Sequence, residues 1–419
     1  MASSAAVSPD LAGAVRPDKR AWGVLFLLSF VYVLNFLDRQ LLSILAKPIQ
    51  DTLHITDGQL GLIGGLYFAM FYCFIALPVG WLADRTNRVT ILSLACAIWS
   101  AATAACGLAQ TYPQLVVARM AVGFGEAGGV PPSYALITDT FAPGYRGTAL
   151  GIYNLGPPIG AAIGIAFGAS IAAAFDWRDA FIVIGAIGIV TALAVRLAMR
   201  DPARGATDLR KDPDAEAKAP FWATTRMFFT HPVLMRASLG SGATQFVTYG
   251  LGNFTVLFLM REKGMTLEDV AIWYALVVGI GMSAGMLVSG RIIDRMTRTS
   301  RVAYALAPAV SLALVLLTAV NFFNYFYLSS SVALVQEEVR PNERVLSGAL
   351  LLLIMNFIGL GLGPTYVGAA SDYFLAHGYA NSLQISLYTL SPFYLIAIAL
   401  FLRLAARLRR EDAQRANAA

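Results

Sequence analysis

Two acid–base pairs stand inside long apolar runs. Asp38 and Arg39 are adjacent, and Arg119 and Glu126 are seven positions apart. An ionisable group at the centre of a bilayer costs roughly +2.5 to +3.5 kcal/mol on insertion scales, so its presence there points to function. Arginine keeps its proton under any ordinary condition and offers a planar fork that matches a carboxylate or a phosphate. Arg39 and Arg119 are therefore candidates to receive an anionic group. Desolvation disfavours the charged form of a carboxyl group, which makes Asp38 and Glu126 candidates to carry a proton. Each acid would be held charged, or released, by an arginine neighbour. Asp38-Arg39 falls about 8 residues, or ~12 Å, from the outer end of its run, and Arg119 and Glu126 about 6 and 13 residues from the outer end of theirs. Seven residues is close to two turns, so Arg119 and Glu126 share a helix face. The competing reading is a structural salt-bridge network pinning two helices, but apolar contacts would pin them without the desolvation cost.

The composition says what must position these groups. Of 419 residues, 57% are hydrophobic and 13% charged, and the mean hydropathy is +0.64. A soluble domain is about 25% charged, so a soluble globular protein is excluded; disorder, which needs low hydrophobicity, is excluded too. Apolar segments long enough to cross a bilayer run at about 21–46, 58–83, 89–110, 113–139, 148–173 and 179–199, and again at 233–260, 270–293, 302–319, 321–339, 345–371 and 386–404. The fold class expected is all-α and membrane-spanning, with twelve helices. The expected domains are an N-tail (1–20), a six-helix bundle (21–199), a polar linker (200–232), a second bundle (233–404) and a C-tail (405–419). The first 20 residues hold no apolar stretch, so the first helix is expected to be an uncleaved anchor.

Basic residues set the orientation. With both termini cytoplasmic, the outer loops keep only Lys47, Arg178, Arg261 and Lys263 of the 31 lysines and arginines. The net charge of +6 is thus a topology signal, and nucleic acid is not an expected partner. Cys73, Cys96 and Cys106 sit in apolar runs and read as packing residues; His54, His231 and His377 fall in loops or at helix ends. No metal-ligand spacing, phosphate loop or Ser-His-Asp arrangement appears, so neither a metal, a cofactor nor an enzyme is expected.

The halves repeat. Gly80-x-x-x-Asp84-Arg85-x-x-Arg88 recurs 210 residues later as Gly290-x-x-x-Asp294-Arg295-x-x-Arg298. Asp139-x-x-x-Pro143-x-x-Arg146 recurs 198 residues later as Glu337-x-x-x-Pro341-x-x-Arg344. Both motifs follow the second and fourth spans of their half, which reads as a six-helix unit duplicated in parallel. Their charges at helix ends can latch one conformation and release in another. The second copy is 12 residues shorter between motifs, so helices 9 and 10 are short or part of that region is missing.

These loops and the glycine-proline run Gly156-Pro157-Pro158-x-Gly160-x-x-x-Gly164 resemble the major facilitator superfamily. That resemblance implies two six-helix bundles rocking about a midplane site. Phe36-Leu37-Asp38-Arg39, Arg119-x-x-x-Gly123-x-Gly125-Glu126-Ala127, Asp84-Arg85-x-Asn87-Arg88 and Asp201-Pro202-x-Arg204-Gly205 resemble, more narrowly, the spinster family. So do Ile152-Tyr153-Asn154 and Trp177-Arg178-x-x-Phe181. Spinster-like transporters move lysolipids and sphingoid phosphates, some with proton coupling. The organic anion:cation symporters share the Asp-Arg and Glu-Ala pairs and remain the rival within the class. Asn35, Tyr134, Tyr153, Asn154, Gln245, Thr248, Tyr249, Asn253, Tyr325 and Asn356 are further candidates to line a cavity. The expectation is a monomeric, proton-coupled transporter of an amphipathic anion in a bacterial-type inner membrane, with protons and membrane lipids as partners. The alternative from another class is a membrane receptor that transports nothing.

Overall fold

The computed structural model describes residues 17–83, 85–203, 221–297, 302, 305, 326–339 and 344–418, and among them there is no strand. Helices start where a side chain can satisfy the free N–H groups of a first turn. The Asp18 carboxylate accepts from the Ala21 amide at 2.7 Å to open α1 (Lys19–Ile44). After α2 (Ala46–Leu53), Thr56 and Gln59 form a capping box that opens α3 (Asp57–Gly64). Asn87 caps α5 (Arg88–Leu108), and Asp176 caps α10 (Trp177–Ala198).

Several spans are interrupted. The second consists of α3 and α4 (Leu66–Ala83), divided at Gly65. The fourth, expected as one helix over 113–139, is α6 (Tyr112–Glu126) and α7 (Val130–Thr140), parted at Ala127–Gly129. Pro131 and Pro132 lack the amide hydrogens a continuous helix would need, so they begin a new helix. The fifth is α8 (Pro143–Tyr153) and α9 (Gly156–Ala174). A further difference lies in the linker, where Phe221–Thr230 forms α11 before α12 (Pro232–Lys263). A short α13 (Leu267–Asp269) and a widened, π-type turn over Val270–Tyr274 lead into α14 (Ala275–Thr297). Then come α15 (Phe326–Glu338), α16 (Arg344–Asn356), a second π-type stretch at Phe357–Leu362, α17 (Gly363–Ala376) and α18 (Ser382–Tyr388). Finally α19 (Ser391–Ala418) carries the last span straight through the expected tail. Most of the short stretch expected to hold helix 9 lies outside the described residues, as does Tyr325.

The two halves meet at the end remote from the termini. There α3 lies against α17 with backbone touching backbone. A Cβ on Gly65 would stand 2.6 Å from the Gly361 carbonyl oxygen, and one on Gly61 would collide with the Pro364 carbonyl. Small residues permit this approach. At the other end, a Cβ added to Gly80 on α4 or Gly151 on α8 would meet nothing within 4 Å, and Trp81 is exposed. Among the described residues the far end is closed by the α3–α17 contact.

Candidate functional site

Helix α1 brings Asp38 and Arg39 to α6, which brings Arg119 and Glu126, and the pairing is crossed. Arg39 Nε donates to Glu126 Oε2 at 2.7 Å, and Nη2 makes an ion pair with the same oxygen at 2.7 Å. Arg119 Nη1 stands 3.9 Å from Asp38 Oδ1, an ion pair without a hydrogen bond. Asp38 instead accepts from the Thr103 hydroxyl of α5 at 2.8 Å. Asp38, Arg119 and Glu126 are all at most 2% exposed. Within this cluster Asp38 Oδ1, Arg119 Nε and Nη1, and Glu126 Oε1 lack a hydrogen-bond partner. Buried polar groups are seldom left so, and these are unsatisfied among the described residues. The arrangement can take in an anion, a proton or both.

Aromatic rings hold the cations in place. The Arg39 guanidinium lies 5.0 Å from the Phe36 ring, 5.2 Å from Phe68 and 4.9 Å from Tyr72. Arg119 lies 5.2 Å from the same Phe68. Each such contact contributes about 0.5–2 kcal/mol to the placement of the two guanidinium groups.

A cavity opens between this cluster and the closed seam. It is lined by Arg39, Arg119, Phe36, Gln40, Ser43, Gly64, Phe68, Thr248, Tyr249, Gly252, Asn253, Met282 and Leu360. Ser43 closes it by donating across the halves to the carbonyl oxygens of Gly252 (2.8 Å) and Asn253 (3.1 Å). Of the candidate substrate contacts, Arg39, Arg119 and Tyr249 line this cavity, with Thr248 and Asn253 beside them. The others do not. Tyr134 donates to Asn154 Oδ1 at 2.7 Å, and Tyr153, 1% exposed, stacks on Tyr32, so these three form a polar-aromatic cluster inside the first half. Asn35, Gln245 and Asn356 are buried in helix packing. Gln40, Ser43, Phe68, Met282 and Leu360 escaped sequence reasoning because a lone apolar or small polar residue in a span carries no signal of its own.

The candidate gate residues fall into three groups. Arg88 joins two motifs that the sequence presents separately. Its guanidinium binds Asp139 and Asp201 Oδ1 (2.8 Å), and donates to the Pro202 carbonyl at 2.7 Å. That network knits helices of one half rather than the two halves. Arg146 donates to the Phe141 carbonyl at 2.9 Å, and Arg85 stacks on Trp81 at 4.0 Å. Gly290, Asp294 and Arg295 lie on α14, Glu337 on α15 and Arg344 on α16. Asp84 and Arg298 lie outside the described residues.

The glycines around Glu126 set its position. A Cβ on Gly125 would stand 2.5 Å from the Trp99 amide nitrogen and 2.8 Å from Trp99 Cβ. One on Gly123 would stand 2.5 Å from the Phe68 carbonyl oxygen. Gly125→Ala should therefore push α6 off α5, with an overpacking cost of about 1–3 kcal/mol. The melting temperature of the purified protein should fall by about 2–6 °C. An unchanged melting temperature would contradict so close an approach.

Residues 28–395 match the Major Facilitator Superfamily. The chain is 29% identical over 389 residues to an MFS-type efflux pump of Mycolicibacterium smegmatis, covering 88% of this chain and 89% of that protein. It is 25% identical over 376 residues to a hexuronate transporter of Bacillus subtilis, covering 83% of this chain and 87% of that one. Among solved structures it resembles a bacterial homolog of the human lysosomal transporter spinster, in an inward-facing and unoccupied conformation. The TM-score is 0.82 and the identity 29%, over 94% of this chain and 99% of that chain. With the profile running through both halves and the spinster homolog superimposing along nearly its whole length, the chain belongs to the Major Facilitator Superfamily: a multi-pass, twelve-helix membrane transporter of two bundles, related to spinster, and not an enzyme.

Proposed function

We propose that the protein is a proton-coupled carrier of an amphipathic anion, of lysophospholipid or sphingoid-phosphate type, working as a monomer by alternating access. The carrying observation is the cavity that sets two arginines among aromatic and aliphatic side chains: Arg39 and Arg119 beside Phe36, Phe68, Met282 and Leu360. An anionic headgroup pairs with the forks, while a hydrocarbon part meets the rings. Asp38 and Glu126 carry the coupling proton. The basic-loop asymmetry supports a bacterial-type inner membrane with both termini cytoplasmic, which sets the closed seam on the outer side. In the outward-facing state the duplicated motifs (Gly80, Asp84, Arg85 and Arg88; Gly290, Asp294, Arg295 and Arg298) close the cytoplasmic end, with Asp139, Arg146, Glu337 and Arg344.

A second reading is carried by Gln40, Thr248 and Asn253, which add polar groups to the same wall. Those groups suit the hydroxyls of a small sugar acid, and one relative is a hexuronate transporter. A thermal-shift series on the purified protein separates the two. Lysophosphatidate should raise the melting temperature in a concentration-dependent way, and Arg39→Ala should abolish the rise. Stabilisation by glucuronate alone would favour the sugar-acid reading. No response to either, with no flux in proteoliposomes, would support a protein that does not transport anions.

A further inference from the structure

A second cavity lies on another face of α12, and the proposed transport does not use it. It holds about 360 Å³. Val247, Leu251, Thr255 and Phe258 recur at steps of four, four and three, so one wall is a single helix face. The opposite wall runs antiparallel along α18 and the start of α19, from Gln384 to Tyr394. Pro392 has no amide hydrogen to continue a helix, so the last span breaks between Tyr388 and Ser391, and the trough lies along that break. Its polar groups are spent on the wall itself. The Thr255 hydroxyl donates to the Leu251 carbonyl at 2.7 Å, and Gln384 Nε2 donates to the Tyr388 hydroxyl at 2.7 Å. The rim, by contrast, has a charge to spare. Of the charged residues that end α12, Arg261 is bound by Asp57, and Glu262 accepts from the amides of Leu383 (3.0 Å) and Gln384 (3.2 Å). Lys263 is exposed and makes no ion pair among the described residues. Its ammonium lies 5.3 Å from the centre of the Phe258 ring, at the end of the trough.

We propose that this trough is a binding site for an anionic phospholipid of the surrounding bilayer. One acyl chain lies between α12 and the break in the last span, and the phosphate meets Lys263. The dimensions match. From Val247 to Phe258 the wall rises eleven residues, or ~16 Å at 1.5 Å per residue. One leaflet of a ~30 Å hydrocarbon core is ~15 Å deep. The trough therefore runs from a leaflet surface towards the midplane, which is the path of an acyl chain. Its charge stands at the surface end, where a lysine ammonium reaches headgroups while its stem lies on apolar surface. The flank beside it is apolar and uncovered: Tyr388 is 65% exposed, Leu395 59% and Ile396 50%. In a membrane-spanning bundle only hydrocarbon meets such a surface, so a chain from the bilayer needs no further entrance. A lipid seated there fills the space along the break and braces its two segments against α12. This inference rests on the membrane fold, and on neither the transported anion nor the proton.

The test is native mass spectrometry of the full-length chain released from detergent micelles, with dioleoyl phosphatidylglycerol or dioleoyl phosphatidylcholine added. The parent should retain one phosphatidylglycerol in preference to phosphatidylcholine. Ser391→Trp fills the trough from an exposed position and should weaken retention of either lipid by about tenfold or more. Lys263→Gln leaves the trough intact and should cut the preference for phosphatidylglycerol by about fivefold, the worth of one basic residue at an anionic headgroup. Arg39→Ala, in the other cavity, should retain the lipid as the parent does. Equal retention in the parent and Ser391→Trp overturns the proposal. So does the absence of a preference in the parent, or a preference that Lys263→Gln leaves unchanged. Loss of the lipid in Arg39→Ala, with Ser391→Trp unaffected, also overturns it; the lipid then sits among the arginines, and the reading of that cavity stands. If Ser391→Trp fails to fold, Leu387→Phe narrows the same trough from the same wall and decides in its place.

Discussion

Glu126→Gln should abolish accumulation of substrate driven by a pH gradient in proteoliposomes while leaving counterflow exchange intact. Glutamine has the shape of a protonated glutamate and cannot ionise, so no proton can be cycled through that position. Exchange of labelled for unlabelled substrate needs no net proton movement and survives. The geometry supports a link between the two proposed ligands. Glu126 holds the Nε and Nη2 edge of Arg39, the same donors that an anionic headgroup would take. A substrate that captures the arginine strips Glu126 of its counter-charge in a site with almost no water, and the carboxyl takes up a proton. The sign follows: proton and anion bind together, so affinity rises as pH falls, by up to about tenfold per pH unit for one linked proton. In Glu126→Gln that dependence should flatten and affinity should settle at the low-pH value. If the variant accumulates substrate as well as the parent, the proton travels elsewhere, and Asp38 is the next candidate.

Arg39→Lys should weaken substrate binding by about 10- to 100-fold, the range expected for losing charge-assisted hydrogen bonds. Lysine retains the charge but has neither the planar fork nor the stacking surface, and three rings surround this guanidinium at 4.9–5.2 Å. Isothermal titration with a phosphate-headed ligand reads the loss directly. Arg119→Lys is the companion measurement, because Arg119 Nε and Nη1 make no hydrogen bond among the described residues. Full affinity in Arg39→Lys would reduce that arginine to a counter-ion for Glu126.

The arginine site was largely readable from the chain because charge is rare in apolar runs and a seven-residue spacing fixes a helix face. What could not be read is that the pairs cross, Arg39 to Glu126 and Arg119 towards Asp38, since adjacency in sequence suggests the opposite grouping. The breaks in the second and fourth spans were missed for a physical reason too. Apolar periodicity continues through Gly65 and through Ala127–Gly129, and only packing against α17 and Trp99 shows why a small residue is needed there. Arg88, Asp139 and Asp201 each stood out, but their meeting depends on three loops folding together. The contacts of Asp57 with Arg261 and Asp372 across the closed end left least trace. These partners are 204 and 315 positions away, and each alone looks like an ordinary residue at a helix end.

The glycine seam carries a consequence for the bioenergetics of the cell. A carrier coupled to a proton gradient, as proposed for this chain, would dissipate that gradient if water threaded through it. Where α3 and α17 touch, a Cβ on Gly65 would already stand 2.6 Å from the facing carbonyl oxygen. At that contact the two backbones leave no room for a water molecule between them. The seam is in this sense a gasket: at this contact it insulates one side of the membrane from the other.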